Sequence, residues 1–169
     1  MSNIILIGFM GCGKSSIGRF MSEKYQYTLI DTDSYIEEQQ NVTISEIFRG
    51  KGEEYFRQLE TDCLRELIKH SSDNTIIAVG GGLPMREENR NLLRKLGKVV
   101  YLRAQIDTLE NRLKGDTSRP LIQGGELRNK IENLIALRQD TYEKLADLII
   151  DTDRKSFQQI TASIRKELL

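Results

Sequence analysis

The chain has 169 residues, 38% hydrophobic and 30% charged, with 25 basic and 25 acidic side chains and one histidine. That is the length of one ordinary domain with enough apolar residues for a core, which excludes intrinsic disorder, and the zero net charge supplies no global basic field for nucleic acid. No apolar run approaches the roughly 20 residues of a membrane helix, the two cysteines fall in no metal or disulfide pattern, and a lone His70 argues against multi-histidine metal sites. The expectation is a single domain over 1–169, monomeric and cytoplasmic.

In chain order, the first apolar run, 4–7, lacks the basic flank and cleavage site of a signal peptide and reads as a buried strand. It is followed by Gly8-Phe9-Met10-Gly11-Cys12-Gly13-Lys14-Ser15, a complete G-x-x-x-x-G-K-[ST] phosphate loop. Glycines let the loop curl so that backbone N–H groups point at phosphate oxygens, and the helix predicted after Lys14 adds a field favourable to anions. In such a loop the lysine reaches the β- and γ-phosphates of ATP and the Ser15 hydroxyl ligates Mg²⁺. Gly11 is an additional glycine, and Cys12, close to Lys14 and the helix start, is the expected reactive thiol.

A second strand, 28–30, runs into Asp31-Thr32-Asp33. Asp31 at the strand end is placed to hold Mg²⁺ through water. Asp33, two residues on, points toward the crevice to bind or activate an acceptor hydroxyl. Helices are predicted after Ser34 and after Thr43, where Ser34-x-x-Glu37 and Thr43-x-x-Glu46 have the spacing of capping boxes. The helix over 53–69 sets Phe56, Leu59, Cys63 and Leu67 on its core stripe, with Arg57 and Glu60 on the adjacent edge as a guanidinium oriented by a carboxylate. On that stripe Cys63 is expected to be inert.

The third strand, 75–79, ends in Gly80-Gly81-Gly82, which permits close backbone approach to a ligand and leaves N–H groups to donate. A helix over 87–95 and a strand over 98–102 follow, then a helix after Ile106 that carries Arg112, whose planar face suits adenine. The polar, glycine-bearing segment 114–125 reads as a mobile lid, with Arg119 in reach of the transferring phosphoryl group. In the helix over 127–145, Ile131, Leu134, Ile135, Tyr142 and Leu145 mark the core face, and Arg138 falls on it. A buried guanidinium needs an anion, so Arg57 and Arg138 together suit a carboxylate substrate. A last strand, 147–150, and a helix after Ser156 with Phe157, Ile160, Ile164 and Leu168 inward complete the chain. The alternation predicts an α/β fold, a three-layer αβα arrangement with a parallel sheet covered on both faces.

Taken together, residues 8–16, 31–37, 44–60, 79–84, 118–122 and 138–147 resemble the shikimate kinase family over nearly the whole chain. The resemblance implies a P-loop kinase fold with strand order 2-3-1-4-5 and transfer of phosphate from ATP to the shikimate 3-hydroxyl, a step toward chorismate and the aromatic amino acids. It implies shikimate contacts at Asp33, Arg57, Gly80, Gly81, Gly82 and Arg138. For ATP it implies contacts at Gly11, Cys12, Gly13, Lys14, Ser15, Ser16, Arg112, Arg119 and Arg154, with Mg²⁺ on Ser15 and Asp31. Lys14, Asp33 and Arg119 are then the catalytic set. Two departures stand out: the turn 151–156 lacks the proline many relatives use beside adenine, and Cys12 replaces a small Ala, Ser or Thr. Gluconate kinases and nucleoside monophosphate kinases share the scaffold, and the arginine pair alone also fits gluconate. A guanine-nucleotide switch is disfavoured, because Asn129-Lys130-Ile131-Glu132 has the wrong acid and lies inside a helix. A non-catalytic ATP-binding module is disfavoured because no catalytic part is missing.

Overall fold

Side chains alternate across a strand, so a strand buried on both faces must be apolar at every position. The run Ile4-Ile5-Leu6-Ile7 meets that condition. In the computed structural model, which describes residues 2–70 and 72–169, it lies at the centre of a five-stranded sheet. The strands are β1 (Asn3–Ile7), β2 (Thr28–Asp31), β3 (Thr75–Ala78), β4 (Gly97–Arg103) and β5 (Leu148–Asp151), in the order β2-β3-β1-β4-β5. Every pairing is parallel, with Ile5 opposite both Ile77 and Val99.

Ile4 and Leu6 face one core, shared with Ile17 and Met21 of α1 (Lys14–Tyr25), Leu109 of α6 (Ile106–Leu113) and Ile160 and Ile164 of α8 (Phe157–Leu168). Ile5 and Ile7 face the other. Its walls are Ile36 of α2 (Thr32–Gln40), Ile47 of α3 (Ile44–Lys51), Phe56 and Leu64 of α4 (Glu53–His70) and Leu93 of α5 (Glu87–Leu96). One helix serves both layers. α7 (Leu127–Leu145) puts Ile131 into the first core and Tyr142 and Leu145 into the second. No helix among the described residues is long and apolar enough to cross a membrane.

The structure departs from the sequence expectations at three helices. α2 starts two residues earlier than Ser34, because the Asp31 carboxylate accepts from Asp33 N and Ser34 N and so caps it. Glu37, freed from the expected box, accepts from Ile44 N instead. The Thr43/Glu46 box is present, and Ser156 with Gln159 makes a second one. On α4 the buried face is turned toward Glu60 and Leu64, both 0% exposed, while Leu59 is only partly covered. On α8, Phe157 is 43% exposed and stays off the core stripe, its ring tilted against Phe20.

These caps differ in consequence. Thr43→Ala removes a side-chain acceptor from a helix end and should lower Tm by about 2–6 °C in calorimetry. Ser34→Ala should leave Tm within about 1 °C, because Asp31 caps that helix; equal losses would contradict the observed start of α2.

Candidate active site

All five strands point their carboxyl ends to one edge, where ligands of open α/β sheets bind. β1 leads into the loop 8–13, and Gly13 takes the position before α1 in a left-handed conformation, φ 101°. A side chain is strained there, so glycine fits. The Lys14 ammonium folds back across the loop, donating to Gly8 O at 2.8 Å and Phe9 O at 3.0 Å. The Ser15 hydroxyl donates to Asp31 Oδ2 at 2.5 Å, which brings the end of β2 against the start of α1. A cleft of about 620 Å³ opens over these residues, bounded by Gly11, Cys12, Gly13, Ser16, Arg112 and Arg119 and by Thr152, Lys155 and Phe157 from the far side. Arg112 Nη1 donates to Gly11 O at 2.9 Å and so sits directly over the loop.

A second, smaller cavity of about 70 Å³ adjoins the cleft through Asp33, Gly80, Gly81 and Arg119. Its charged lining is Asp33, Arg57, Glu60, Arg119 and Arg138, and Met10, Ile44, Phe48, Phe56, Pro120 and Leu121 make the rest of it apolar. Arg57 donates to Glu60 Oε1 at 2.5 Å and to Glu53 at 3.3 Å. Arg138 is 5% exposed, lies 5.8 Å from the Phe9 ring centroid, and has an Nη1 without a hydrogen-bond partner. Asp33 Oδ1 and Glu60 Oε2 are likewise buried without hydrogen-bond partners, while Arg119 Nε, also without a hydrogen bond, lies 3.6 Å from Asp116 Oδ2. Buried polar groups are normally satisfied, so three open valences around one small cavity mark a place for a polar ligand.

The glycines define how near such a ligand comes. A Cβ on Gly80 would stand 2.8 Å from Asp33 Oδ1 and 3.0 Å from Glu60 Oε2, and one on Gly82 would stand 2.5 Å from Arg57 Nη2. Any side chain at these positions would fill the space between the charged groups. The Gly80 N–H is not free, as expected from the sequence, but donates to Thr32 Oγ1 at 3.1 Å. Tyr142 fixes the next residue, its hydroxyl donating to Gly81 O.

Burial raises the Asp33 pKa, and the nearby Asp31 adds to the effect, against the pull of Arg119, 3.8 Å away, and of Lys14. Burial likewise pushes Glu60 up to about 7 despite the Arg57 guanidinium. The segment 114–125 covers the cavity. Asp116 accepts from Ser118, Pro120–Ile122 form a short 3₁₀ turn, and Ser118 O accepts from Ser45 of α3.

Two expected residues are placed differently. Arg154, at φ 61°, lines a separate cavity with Phe9, Arg103 and Asp153, while its neighbours Thr152 and Lys155 face the cleft. Cys12 borders the cleft but is 1% exposed and belongs to the core, its Sγ 3.7 Å from Lys14 Nζ and its N–H donating to Phe9 O. The thiol is therefore packed beneath the loop. The residues the sequence reading passed over are Thr152, Lys155 and Phe157 on the cleft and the apolar wall of the small cavity. Their only signal was a polar turn after the last strand and ordinary core-like hydrophobics.

A phosphate loop opening α1, a hydroxyl–carboxylate pair beside it and an adjoining acceptor cavity define a P-loop small-molecule kinase. The shikimate kinase family model matches residues 10–169. The shikimate kinase of Xylella fastidiosa (strain M12) is 40% identical over 98% of this chain and 91% of its own length. That of Dictyoglomus turgidum is 39% identical over 99% and 97%. Among solved structures, shikimate kinase from Acinetobacter baumannii in complex with shikimate superposes with a TM-score of 0.93 at 32% identity, covering 98% of this chain and 92% of that one. The chain belongs to the shikimate kinase family.

The burial of Cys12 reverses its expected reactivity, while Cys63 is buried as expected. Burial pushes the Cys63 thiol up to about 12, and Cys12 is no better exposed. Iodoacetamide should label neither in the folded protein and both in urea, read by peptide mass spectrometry. Fast labelling of Cys12 in the native state would place its sulfur on the cleft side of the loop.

Proposed function

We propose that this chain transfers the γ-phosphoryl group of ATP to the 3-hydroxyl of shikimate, giving shikimate 3-phosphate and ADP. The observation that carries this reading is the small cavity beside the phosphate loop, lined by Arg57, the unpartnered Arg138 Nη1 and the unpartnered Asp33 Oδ1. A substrate with a carboxylate at one end and hydroxyls at the other satisfies all three. The relative solved with shikimate shares 32% of its residues with this chain, in agreement.

In this reading the ATP phosphates lie along the N–H groups of loop 11–16 and the α1 N-terminus. Lys14 turns from the Gly8 and Phe9 carbonyls to the β- and γ-oxygens. The oxygens of Ser15 and Asp31 are hard donors of the kind Mg²⁺ takes, and no group of three or more acidic, histidine or cysteine ligands exists among the described residues. Phosphate oxygens and water would complete the shell. Mg²⁺ supplies neutralisation of charge on the phosphates during transfer.

Arg57 and Arg138 grip the substrate carboxylate and orient the ring, and Asp33 accepts from the hydroxyl that attacks. Burial holds Asp33 closer to the proton affinity that taking up that proton requires. Arg119, already against Asp33, steadies the phosphoryl group from the segment 114–125, which acts as the lid. A cavity of about 70 Å³ is small for a substituted six-membered ring, so the lid must open for entry. The site described needs no group from a second copy, in agreement with action as a monomer.

A coupled ADP-release assay with shikimate, gluconate and nucleoside monophosphates in parallel tests the substrate; faster turnover of gluconate would sink the reading. Arg57→Ala or Arg138→Ala should raise the KM for shikimate by about 10–100-fold with little change for ATP, as expected for a charged hydrogen bond lost from a dry site. A similar rise in both KM values would mean that these arginines hold the fold and not the acceptor.

Asp33→Asn separates function from stability. A carboxyl whose pKa is raised by folding binds its proton more tightly in the native state, so its contribution to stability falls as pH rises through that pKa. The neutral amide escapes this cost. Asp33→Asn should therefore lose most turnover yet match or exceed the wild-type Tm at neutral pH, the Tm difference closing as pH is lowered. Full turnover, or a Tm deficit that grows with pH, would exclude Asp33 as the acceptor of the hydroxyl proton.

A further inference from the structure

Glu60 is fully buried, and the proposed reaction uses only one of its oxygens. Oε1 accepts from Arg57, while Oε2 has no partner and lies across Gly80 from Asp33 Oδ1, each in reach of the space a Gly80 side chain would take. Two carboxylates thus face one small cavity before any substrate arrives. The charges that hold them differ. Glu60 leans on Arg57 and Arg138, whereas Asp33 leans on Arg119 and Lys14.

An anionic substrate gripped by Arg57 and Arg138 draws on the two cations that stabilise Glu60 and leaves those of Asp33 untouched. It also brings a third carboxylate into a site of low dielectric, where like charges are costly. Resting on the proposed function, we propose that binding of the carboxylate substrate is coupled to uptake of one proton from solvent, and that Glu60 Oε2 receives it. The new O–H bond forms at an oxygen that lacked a donor. It can then donate toward Asp33 or a substrate hydroxyl, so the buried valence is satisfied at the same moment. The remaining titratable neighbour on α4, Cys63, does not compete, because burial keeps its thiol neutral up to about 12. Glu60, already pushed up to about 7 in the free protein, needs only a modest further rise to be neutral at ordinary pH.

Isothermal titration of shikimate into the whole protein, in buffers of different ionisation enthalpy, reads the proton directly. Net uptake should approach one proton above the free-site midpoint of about 7, and the Kd should rise by up to about tenfold per pH unit there. Glu60→Gln should bind shikimate with no net proton. Should that variant fail to fold, difference infrared spectroscopy of the wild-type protein should show a protonated carboxyl band on binding that moves when glutamate is carbon-13 labelled. Buffer-independent heats, uptake that persists in Glu60→Gln, or a band insensitive to glutamate labelling would overturn the proposal while leaving the kinase reading intact. Absence of any shikimate heat would overturn the kinase reading, and this proposal with it.

Discussion

Parallel pairing is the constraint on which the rest depends. A parallel strand cannot return by a hairpin, so each of the four strands after β1 is reached through a crossover, and the carboxyl ends of all five arrive at one edge. That edge collects the phosphate loop from β1, Asp31 and Asp33 from β2, Gly80–82 from β3 and the 151–156 turn from β5. Chemistry gathers at the loop ends because the central strand has no polar position to offer along Ile4 to Ile7, all of them buried. Only α7 breaks the separation of the layers. Spanning both cores, it carries Arg138 between Ile131 and Tyr142 and presents it to the same edge.

What could be read in the sequence follows from this arrangement. Short apolar runs mark the strands, buried throughout in β1 and β3, so the sequence places all five to within a residue or two and bounds α7 at Leu127 and Leu145. Arg138 was legible because a charge on an apolar helical stripe is an anomaly one residue wide. Asp31 is legible as an acid at the strand end but not as a cap, since Asp31, Asp33 and Ser34, all acceptors within four residues, compete to start one helix and only geometry chooses among them. The direction of Cys12 was hidden for a related reason. The loop's backbone pattern identifies which N–H groups face inward but not which side chains face down. Phe157 looked like core from its spacing, yet the first residue of a helix lies beyond the packed layer and is free to face the cleft.

The acceptor cavity is assembled against the ordinary interest of the fold. Arg57, Glu60 and Arg138 are largely withdrawn from water, Asp33 is partly so, and several of their atoms are left without partners. Such groups weaken a folded state unless something completes them. The surrounding structure tolerates this because the two aliphatic layers are otherwise unbroken and, Asn74 Oδ1 apart, the buried side-chain polar atoms left without hydrogen bonds among the described residues belong to the site. Thr61 with Asn89, and Asn89 with Leu83 O, are satisfied. Unmet valence is concentrated where a ligand can meet it.

Lys14 bears on how the cycle ends. Its ammonium has two carbonyls of its own loop to return to, Gly8 O and Phe9 O. In the proposed reaction a nucleotide therefore does not recruit an idle cation; it exchanges one set of hydrogen bonds for another, and only the difference contributes to its hold. The same exchange runs in reverse once the γ-phosphate has gone, when ADP offers the lysine fewer oxygens and the carbonyls compete on better terms. A loop that can close upon its own lysine is suited to letting go, and departure of spent nucleotide sets the tempo of many enzymes of this kind.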